Sequence, residues 1–311
     1  MAFELSYING RVRSDARGFA EECEAEYGEK IRGAARAIAK NVGNSPIVLL
    51  SGPSGSGKTT TAKKLDDELG RMGIHSRSVS LDDYFKPQDT FELPKTPEGE
   101  RDYESPLCID WELLNAHFDA LDRGEEICVP HFSFTIQGRN EAKAKQLLLK
   151  KDEVAIFEGI HALNTRVTGL HPEAFKLYVS ARSDTFDNGR LAFKGTWTRL
   201  VRRVIRDERF RGTGAITTLS MWANVRRGEK AHISPFKDSA NLKLDTAMAY
   251  EISAMLSPAR EIFSRAPDGA ERYDELTELL AALEAYDELD PALIPADSML
   301  REFIGGGTYK Y

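Results

Sequence analysis

One stretch carries the clearest chemistry in this sequence: Gly52-Pro53-Ser54-Gly55-Ser56-Gly57-Lys58-Thr59. It follows the apolar run Ile47–Leu50 and precedes Thr60–Leu65, which continues as a predicted helix. A strand, a glycine-rich loop and a helix in this order are what the phosphate-binding pattern G-x-x-x-x-G-K-[ST] requires. Backbone N–H groups of such a loop surround an anion, and the helix N-terminus adds the positive end of its dipole. The stretch therefore predicts a site for the phosphate chain of a nucleotide.

The side chains of this loop have separate tasks. Lys58 can reach the β- and γ-phosphates, and the Thr59 hydroxyl suits a Mg²⁺ ligand. We expect ATP with Mg²⁺ at this loop. The predicted nucleotide-binding residues are Gly52, Ser54, Gly55, Ser56, Gly57, Lys58, Thr59 and Thr60.

Acidic residues follow two further predicted strands. Asp82 comes directly after the predicted strand Ser76–Leu81, and Glu158 ends the apolar run Val154–Phe157. Ligands of parallel α/β sheets gather at the carboxyl ends of the strands, so both carboxylates are expected near the nucleotide. Asp82 could take a proton or touch the metal, and Glu158 is typical of the second Mg²⁺-side group of such enzymes. The alternative for Asp82 is a turn or helix cap.

A basic helix is predicted over Thr198–Gly212. Leu200, Val201, Val204 and Ile205 form its inward stripe. The remaining arginines predict a cationic surface, which could act as a lid that neutralises charge on a transferred phosphoryl group. A solvated face paired with Asp207 and Glu208, or nucleic-acid binding, are the alternatives. These arginines are Arg199, Arg202, Arg203, Arg206, Arg209 and Arg211.

Other polar and aromatic residues permit two interpretations each. Phe132 and Phe134 lie beside polar groups and could line a ligand pocket or pack in the core. His161 follows Glu158 by three positions and could be catalytic, although a lone histidine is more often structural.

Composition limits the classes of function. The chain has 311 residues and a formal net charge of −7, which argues against nucleic acid as a partner. No apolar run is as long as a membrane span, and the start lacks a signal-peptide pattern. The three scattered cysteines fit reduced thiols, so a cytoplasmic location without a membrane partner is expected.

The order of the elements predicts an α/β fold: a mainly parallel sheet of P-loop NTPase type, with helices on both faces and a helical lid. We divide the chain into an N-terminal helical segment (1–44), a kinase domain (45–244) and a C-terminal helical extension (245–311) that packs on the core. Leu279, Leu280, Leu283 and Tyr286 give the extension an apolar face, and Gly305-Gly306-Gly307 suggests a loose or ligand-near end.

Five motifs together resemble the uridine kinase and phosphoribulokinase group of P-loop kinases, over roughly residues 45–250. They are GPSGSGKTT at Gly52–Thr60, SLDDYFKP at Ser80–Pro87, VPHFSF at Val129–Phe134, VAIFEGIHALN at Val154–Asn164 and TRLVRRVIRDERFRG at Thr198–Gly212. The remaining stretch, which includes SMWANVRRGEKAHISPF at Ser220–Phe236 and the end MLREFIGG at Met299–Gly306, looks like the bacterial uridine kinase-like branch. Members of the group are often oligomeric, so a homo-oligomer is a possibility.

The resemblance implies roles for individual residues. Asp82 becomes the general base for the acceptor hydroxyl, and Glu104 falls where nucleoside kinases hold the sugar hydroxyls. Thr59, Glu158 and Asp82 become the metal-binding residues, and Lys58 joins Asp82 in catalysis. The lid arginines are Arg203, Arg206 and Arg211. The implied acceptor-binding residues are Asp82, Tyr84, Glu104, Phe132, Gln137, Arg139 and Glu158.

Three positions depart from the pattern of the group. Gln137 stands where a base-recognising histidine is usual, Phe132 where a tyrosine is common, and Thr213 where a further arginine is expected. The resemblance thus implies a small-molecule kinase that transfers the γ-phosphoryl group of ATP to a hydroxyl, with the 5′-OH of a nucleoside as first candidate. A kinase of a sugar phosphate, polyol or vitamin precursor is the alternative, and a nucleotide-binding sensor without catalysis is another.

Overall fold

The computed structural model describes residues 2–265 and 273–310. Residues 266–272 of the predicted C-terminal extension lie outside the described residues. Among the described helices, none combines the length and the apolar character that crossing a membrane would need.

The strands of the described residues are short, and five of them form the central sheet. In chain order they are β1 (Ala2–Glu4), β2 (Ile47–Ser51), β3 (His75–Ser80), β4 (Ile127–Val129), β5 (Phe132–Ser133), β6 (Gly138–Arg139), β7 (Lys145–Leu147), β8 (Glu153–Glu158), β9 (Phe175–Ser180), β10 (Asp184–Asp187), β11 (Arg190–Phe193) and β12 (Leu242–Asp245).

The α-helices differ widely in length. They are α1 (Leu5–Asn41), α2 (Lys58–Arg71), α3 (Trp111–Asp122), α4 (Thr165–Thr168), α5 (Gly195–Phe210), α6 (Ala215–Gly228), α7 (Glu251–Phe263), α8 (Tyr273–Leu283) and α9 (Arg301–Ile304). Short 3₁₀ turns cover Leu81–Tyr84, Pro106–Cys108, Glu141–Lys143, Ser234–Ser239 and Pro291–Leu293, and a π turn covers Glu229–Ile233.

The central sheet has five strands in the order β12-β9-β2-β8-β3, and every neighbouring pair is parallel. The predicted parallel α/β sheet is thereby confirmed. Strand β2 explains why the sheet is covered on both sides: Val48 and Leu50 belong to one hydrophobic cluster, whereas Ile47 and Leu49 belong to another. Strands that are buried on both faces read as continuous apolar runs, as this one does.

Different elements cover the two faces. One face packs against α1, α2, α5, α7 and α8, and the other packs against α3 and the loops that follow β3 and β8. Helix α1 is joined to α2 by a 3.0 Å hydrogen bond between the hydroxyls of Tyr27 and Thr61. The apolar stripe predicted for the basic helix is buried, since Leu200, Val201, Val204 and Ile205 are each at most 2% exposed.

Several predicted boundaries shift by a few residues. The strand before Asp82 ends at Ser80 and a 3₁₀ turn follows, because the Ser80 side chain accepts a hydrogen bond from the Asp82 N–H and bends the chain. The basic helix begins at Gly195 and ends at Phe210. The short strand Ile127–Val129 pairs with Lys145–Leu147 outside the central sheet.

The C-terminal elements return to the core. Leu279, Leu283 and Tyr286 are buried, and Leu280 packs against the same cluster. Farther along, Asp297 forms a 3.1 Å ion pair with Lys64 of α2. The chain end therefore runs beside the helix that begins at the phosphate-binding loop.

Candidate functional site

The loop between β2 and α2 has the backbone geometry of an anion cradle. Gly55 has a φ of +74°, and a Cβ atom at this position would lie 2.7 Å from the carbonyl oxygen of Arg199, so only glycine fits. The loop closes through a 3.2 Å hydrogen bond from the Ser56 N–H to the Pro53 carbonyl. Among the described residues, none provides a hydrogen-bond partner for the buried Ser56 hydroxyl oxygen. Such an orphaned donor inside a loop of N–H groups suits a phosphate oxygen.

Lys58, at the start of α2, bends back over the loop. Its Nζ donates to the carbonyl oxygens of Gly52 at 3.0 Å and Pro53 at 3.4 Å. The surrounding protein lowers the pKa of Lys58 by removing water from the ammonium group, while Glu158 and Asp82 oppose this effect. The ammonium group therefore lies between the phosphate loop and the carboxylates.

Two of these carboxylates lie together because of the register of the sheet. Ser80 of β3 is paired with Glu158 of β8, and Asp82 follows Ser80 by two positions. Desolvation raises the pKa of Glu158 to about 7, and Asp82 adds to this shift by charge repulsion. Desolvation also raises the pKa of Asp82, while Lys58 and Arg211 lower it. Crowded acids with raised pKa values are typical of functional sites.

Glu104 brings a third carboxylate from the irregular segment before α3. Desolvation raises its pKa to about 7, although Arg203 and Lys58 lower it. His161 lies next to the Glu104 backbone and is 2% exposed. Burial lowers the pKa of His161 to about 4, so the ring is neutral at pH 7. This environment favours the structural interpretation of His161.

Helix α5 places three arginines around one acid. Asp207 Oδ1 accepts a 2.9 Å hydrogen bond from Arg206 Nη2, and the same carboxylate lies 3.3 Å from Arg203 Nε and 3.7 Å from Arg211 Nε. Arg203 also donates a 2.8 Å hydrogen bond from Nη1 to the Ser54 hydroxyl in the phosphate loop. Asp207 thus positions three cations beside the loop and neutralises only part of their charge.

Two other arginines of this helix do not form a cationic surface, and this part of the prediction was wrong. Arg199 pairs with Glu229, and Arg202 pairs with Glu251, each at 2.7 Å, with side-chain exposures of 2% and 0%. Arg202 also donates to the Gly55 carbonyl, and Arg199 to the Ser54 carbonyl, each at 3.2 Å. The partner acids come from other elements, so these arginines support the loop from below.

One cavity of about 530 Å³, a size common for small-molecule sites, is lined by the phosphate loop, by the carboxylates of Asp82, Glu104 and Glu158, and by the arginines around Asp207. Most of the sequence-predicted site residues are in its wall. They are Ser54, Gly55, Ser56, Gly57, Lys58, Thr59, Asp82, Glu104, Gln137, Glu158, Arg203, Arg206 and Arg211.

The remaining predicted residues lie elsewhere. Tyr84 is fully buried, with its hydroxyl 2.9 Å from His117 Nδ1, and Phe132 packs on the rings of Phe85 and Phe134. Arg139 donates a 2.7 Å hydrogen bond to Asp110 and lines a separate cavity of about 480 Å³. Gly52 and Thr60 belong to the loop and helix but are not in the cavity wall.

Other wall residues lie outside the predicted site, although a ligand pocket was one of the two interpretations for Phe134. Phe85, Tyr103, Phe134, Ile160 and Met221 add an aromatic and apolar surface, and Glu302 enters from α9. Phe85 lies inside the SLDDYFKP motif, which was a usable signal. Glu302 lies in the C-terminal MLREFIGG stretch, but nothing in that stretch predicted a site residue, because its short helix joins the site only through tertiary contacts.

The oxygen donors fit a hard divalent cation. Thr59, Asp82 and Glu158 offer a hydroxyl and two carboxylates on one cavity, and Mg²⁺ prefers oxygen ligands. Desolvation is the main cause of the raised pKa of Glu158 and the charge of Asp82 adds to it, so a nearby cation would favour the ionised carboxylate. These residues could therefore hold Mg²⁺ beside the phosphate loop.

Comparison with known proteins agrees with this geometry. The model of the phosphoribulokinase / uridine kinase family matches residues 47–253. A uridine kinase from Halobacterium salinarum is 27% identical over 198 residues, which are 62% of this chain and 76% of that protein. A uridine kinase from Brevibacillus brevis is 29% identical over 187 residues, or 60% of this chain and 77% of the relative.

A solved structure supports the fold. The crystal structure of a putative fructose transport system kinase from Silicibacter sp. TM1040 aligns with a TM-score of 0.52 at 18% identity, and the match covers 69% of this chain and 98% of that one. The chain belongs to the phosphoribulokinase / uridine kinase family and is a small-molecule kinase, a phosphotransferase that uses an alcohol group as acceptor.

Proposed function

We propose that this enzyme transfers the γ-phosphoryl group of ATP to the 5′-OH of a nucleoside, with Mg²⁺. The observation that carries the proposal is one cavity that holds a phosphate loop with Lys58, an acid at the end of the next strand, Asp82, and the arginines of α5. The names of the relatives, which are uridine kinases, support a nucleoside as acceptor.

The phosphate chain is held by the loop and by Lys58. N–H groups of the loop and of the first turn of α2 point toward a bound anion. On binding, Lys58 exchanges its carbonyl partners in Gly52 and Pro53 for phosphate oxygens. The ammonium group is already desolvated, so its attraction for a phosphate oxygen is stronger than in water.

Asp82 acts as the base for the acceptor hydroxyl. Burial raises its pKa, which makes it a better proton acceptor, while the charges of Lys58 and Arg211 oppose this shift. As the hydroxyl oxygen attacks the γ-phosphorus in line, its proton passes to Asp82 and the bond to the leaving β-phosphate oxygen breaks. Asp83 is engaged differently, because its carboxylate accepts from the Phe132 N–H at 3.2 Å and faces His131.

The charge that develops on the transferred group is stabilised by fixed cations. Arg203, Arg206 and Arg211 are held by Asp207 before substrate arrives, so little reorganisation is needed during the reaction. Thr59, Glu158 and Asp82 would hold Mg²⁺, which supplies charge neutralisation on the phosphates when bound.

The acceptor is proposed to lie between Glu104 and the aromatic wall. Glu104 can accept hydrogen bonds from sugar hydroxyls, and Phe134, which is 46% exposed, offers a ring to a flat or apolar group. Small-molecule sites commonly combine such apolar wall residues with a few polar groups that fix the orientation of the ligand.

One observation favours a second candidate, a kinase of another hydroxylated metabolite such as a sugar phosphate, a polyol or a vitamin precursor. The Gln137 side-chain amide already has partners: it accepts from Gln88 and, at 3.4 Å, from Tyr103, and donates at 2.7 Å to the Phe134 carbonyl. A side-chain amide with these partners has little hydrogen-bonding capacity left to recognise a nucleobase.

The test is nucleotide consumption with ATP or GTP and Mg²⁺ against nucleosides, sugar phosphates, polyols and vitamin precursors, with product mass as a second readout. A phosphorylated nucleoside supports the first candidate. Turnover with another acceptor only would retain the mechanism and replace the substrate class. Tight ATP binding without any turnover would refute catalysis and indicate a nucleotide sensor. Asp82→Asn serves as the catalytic control.

The three cysteines support a reducing compartment, for which we propose the cytoplasm. All three are free thiols in the structure, and Cys23 and Cys108 are buried.

A further inference from the structure

A second cavity opens from the phosphate loop, and the proposed mechanism does not use it. It has a volume of about 500 Å³ and shares Thr59, Arg206, Arg211 and Glu302 with the first cavity. None of the acids Asp82, Glu104 and Glu158 is in its wall. Its other walls are Phe210, at the end of α5, and the C-terminal residues Arg301, Gly305, Gly306, Gly307 and Tyr309.

The position of this cavity relative to the phosphate loop indicates which part of a nucleotide it would hold. A phosphate chain that lies at Thr59 with its γ-end toward Asp82 directs its other end away from the catalytic acids. We infer that the second cavity holds the purine nucleoside part of the phosphate donor, and that the C-terminal residues 301–309 form its outer wall. This inference rests on the proposed function, since it assigns the donor subsite of the same reaction.

The chemistry of the walls suits a flat heterocycle. Phe210 is 55% exposed although it is a large aromatic residue, so its ring is available for stacking on a base. Gly305 has a φ of +80°, and a Cβ atom there would lie 3.0 Å from Phe210 Cζ. The absence of a side chain lets the backbone approach the ring closely and leaves the cavity open beside it.

The outer wall is held in place from two sides. On the lid side, Arg209 Nη1 donates a 2.9 Å hydrogen bond to the Ile304 carbonyl. On the side of α2, Tyr309 donates a 2.5 Å hydrogen bond from its hydroxyl to Asp67 Oδ2, and Glu302 accepts from Thr60. A wall that is ordered in advance lowers the entropy lost on binding.

This wall belongs to a part of the chain beyond the family match. The family model ends at residue 253, whereas the wall is formed by residues 301–309. The kinase core therefore supplies the phosphate end of the donor site and the ring of Phe210, and the C-terminal extension supplies the outer wall of the nucleoside end.

The test compares the binding of ATP and of inorganic tripolyphosphate, each with Mg²⁺, by calorimetry. The proteins are the full-length wild type, Phe210→Ala, Phe210→Trp and the control Ile216→Ala, which removes another exposed apolar side chain that is in neither cavity wall. Both ligands place phosphates on the loop, but only ATP has a base. Because Phe210 is exposed, its replacement should leave the fold intact, and circular dichroism checks this.

We expect Phe210→Ala to weaken ATP binding by roughly fivefold or more, the loss associated with one stacked base, and to change tripolyphosphate binding by less than about twofold. Phe210→Trp should restore ATP affinity, and Ile216→Ala should change neither ligand. Equal weakening of both ligands would assign the cavity to an anion and overturn the inference. Unchanged ATP binding in Phe210→Ala would overturn it as well.

The binding readout separates this inference from the proposed function. Loss of ATP affinity in Phe210→Ala, in an enzyme that phosphorylates no acceptor, would support the subsite and refute the function. Normal turnover in Phe210→Ala with an unchanged KM for ATP would support the function and refute the subsite.

Discussion

The Glu302 carboxylate accepts hydrogen bonds from both the hydroxyl of Thr60, at 2.6 Å, and its backbone N–H, at 3.3 Å. Thr60 lies in the first turn of α2, where free N–H groups and the helix dipole attract anions. An acid from the end of the chain therefore lies where the phosphate-binding helix begins, and it lines both cavities.

Glu302→Gln should bind ATP more tightly than the wild type, by roughly twofold to tenfold. The amide oxygen can still accept from Thr60, but the negative charge that opposes the phosphates is gone. Calorimetry with ATP and Mg²⁺ measures the change. Glu288→Gln is the control, since it removes an exposed acid from the same part of the chain. Unchanged or weaker binding would show that Glu302 does not oppose the nucleotide.

Asp82→Asn should reduce kcat by a factor of about 10² to 10⁴ and leave ATP affinity nearly unchanged, because the loop and Lys58 bind the nucleotide without the base. Lys58→Ala should reduce both. Asp83→Asn is a matched neighbour whose carboxylate holds the Phe132 N–H and His131, and we expect it to retain most of the transfer. Near-normal turnover in Asp82→Asn would remove Asp82 from the role of base.

Arg202→Met and Arg203→Met should separate structural from catalytic arginines. Arg202 is completely buried against Glu251, so its loss leaves an unpaired buried acid and should lower the free energy of unfolding by about 3–5 kcal/mol. Arg203 is partly accessible and lines the cavity, so Arg203→Met should lower kcat with a much smaller change in stability.

Urea unfolding and initial rates measure the two effects. The double variant Arg202→Met with Glu251→Gln should recover part of the lost stability, because no buried charge remains. A stability loss as large in Arg203→Met as in Arg202→Met would contradict the division between the two roles.

Glu104→Gln should make the thermal stability of the protein without ligands less sensitive to pH. The pKa of Glu104 is raised from 4.5 to about 7 in the fold, so between these values the folded state binds more protons than the unfolded state. Stability is therefore lost as the pH rises through this window. At pH 8 the variant should melt about 2 °C or more above the wild type, while at pH 4.5 the two should agree.

Differential scanning calorimetry across this range gives the comparison, with Glu100→Gln as an exposed control on the same segment. The same Glu104 variant should show a raised KM for the acceptor. If the difference in melting temperature between wild type and variant stayed constant with pH, Glu104 would not be the group with the raised pKa.

The phosphate loop, the parallel sheet and most of the side chains of the cavity could be predicted from the sequence. These features depend on local information: the glycine pattern sets the backbone of the loop, and continuous apolar runs identify strands that are buried on both faces. Asp82 and Glu158 could be placed together for the same reason, because acids at the carboxyl ends of adjacent parallel strands share one edge of the sheet.

The arginines of α5 that serve the site could be identified only from the contacts made in the folded chain. Arg199 and Arg202 have the same chemistry and nearly the same spacing as Arg203 and Arg206. Their ion pairs with Glu229 and Glu251, however, bury them away from solvent. In the fold, Tyr84 is also buried in the core and Arg139 is hydrogen-bonded to Asp110. Glu302 and the glycines at 305–307 lie beside the phosphate loop. Contacts between residues far apart in the chain fix these positions, and the sequence around a residue does not identify its distant partner.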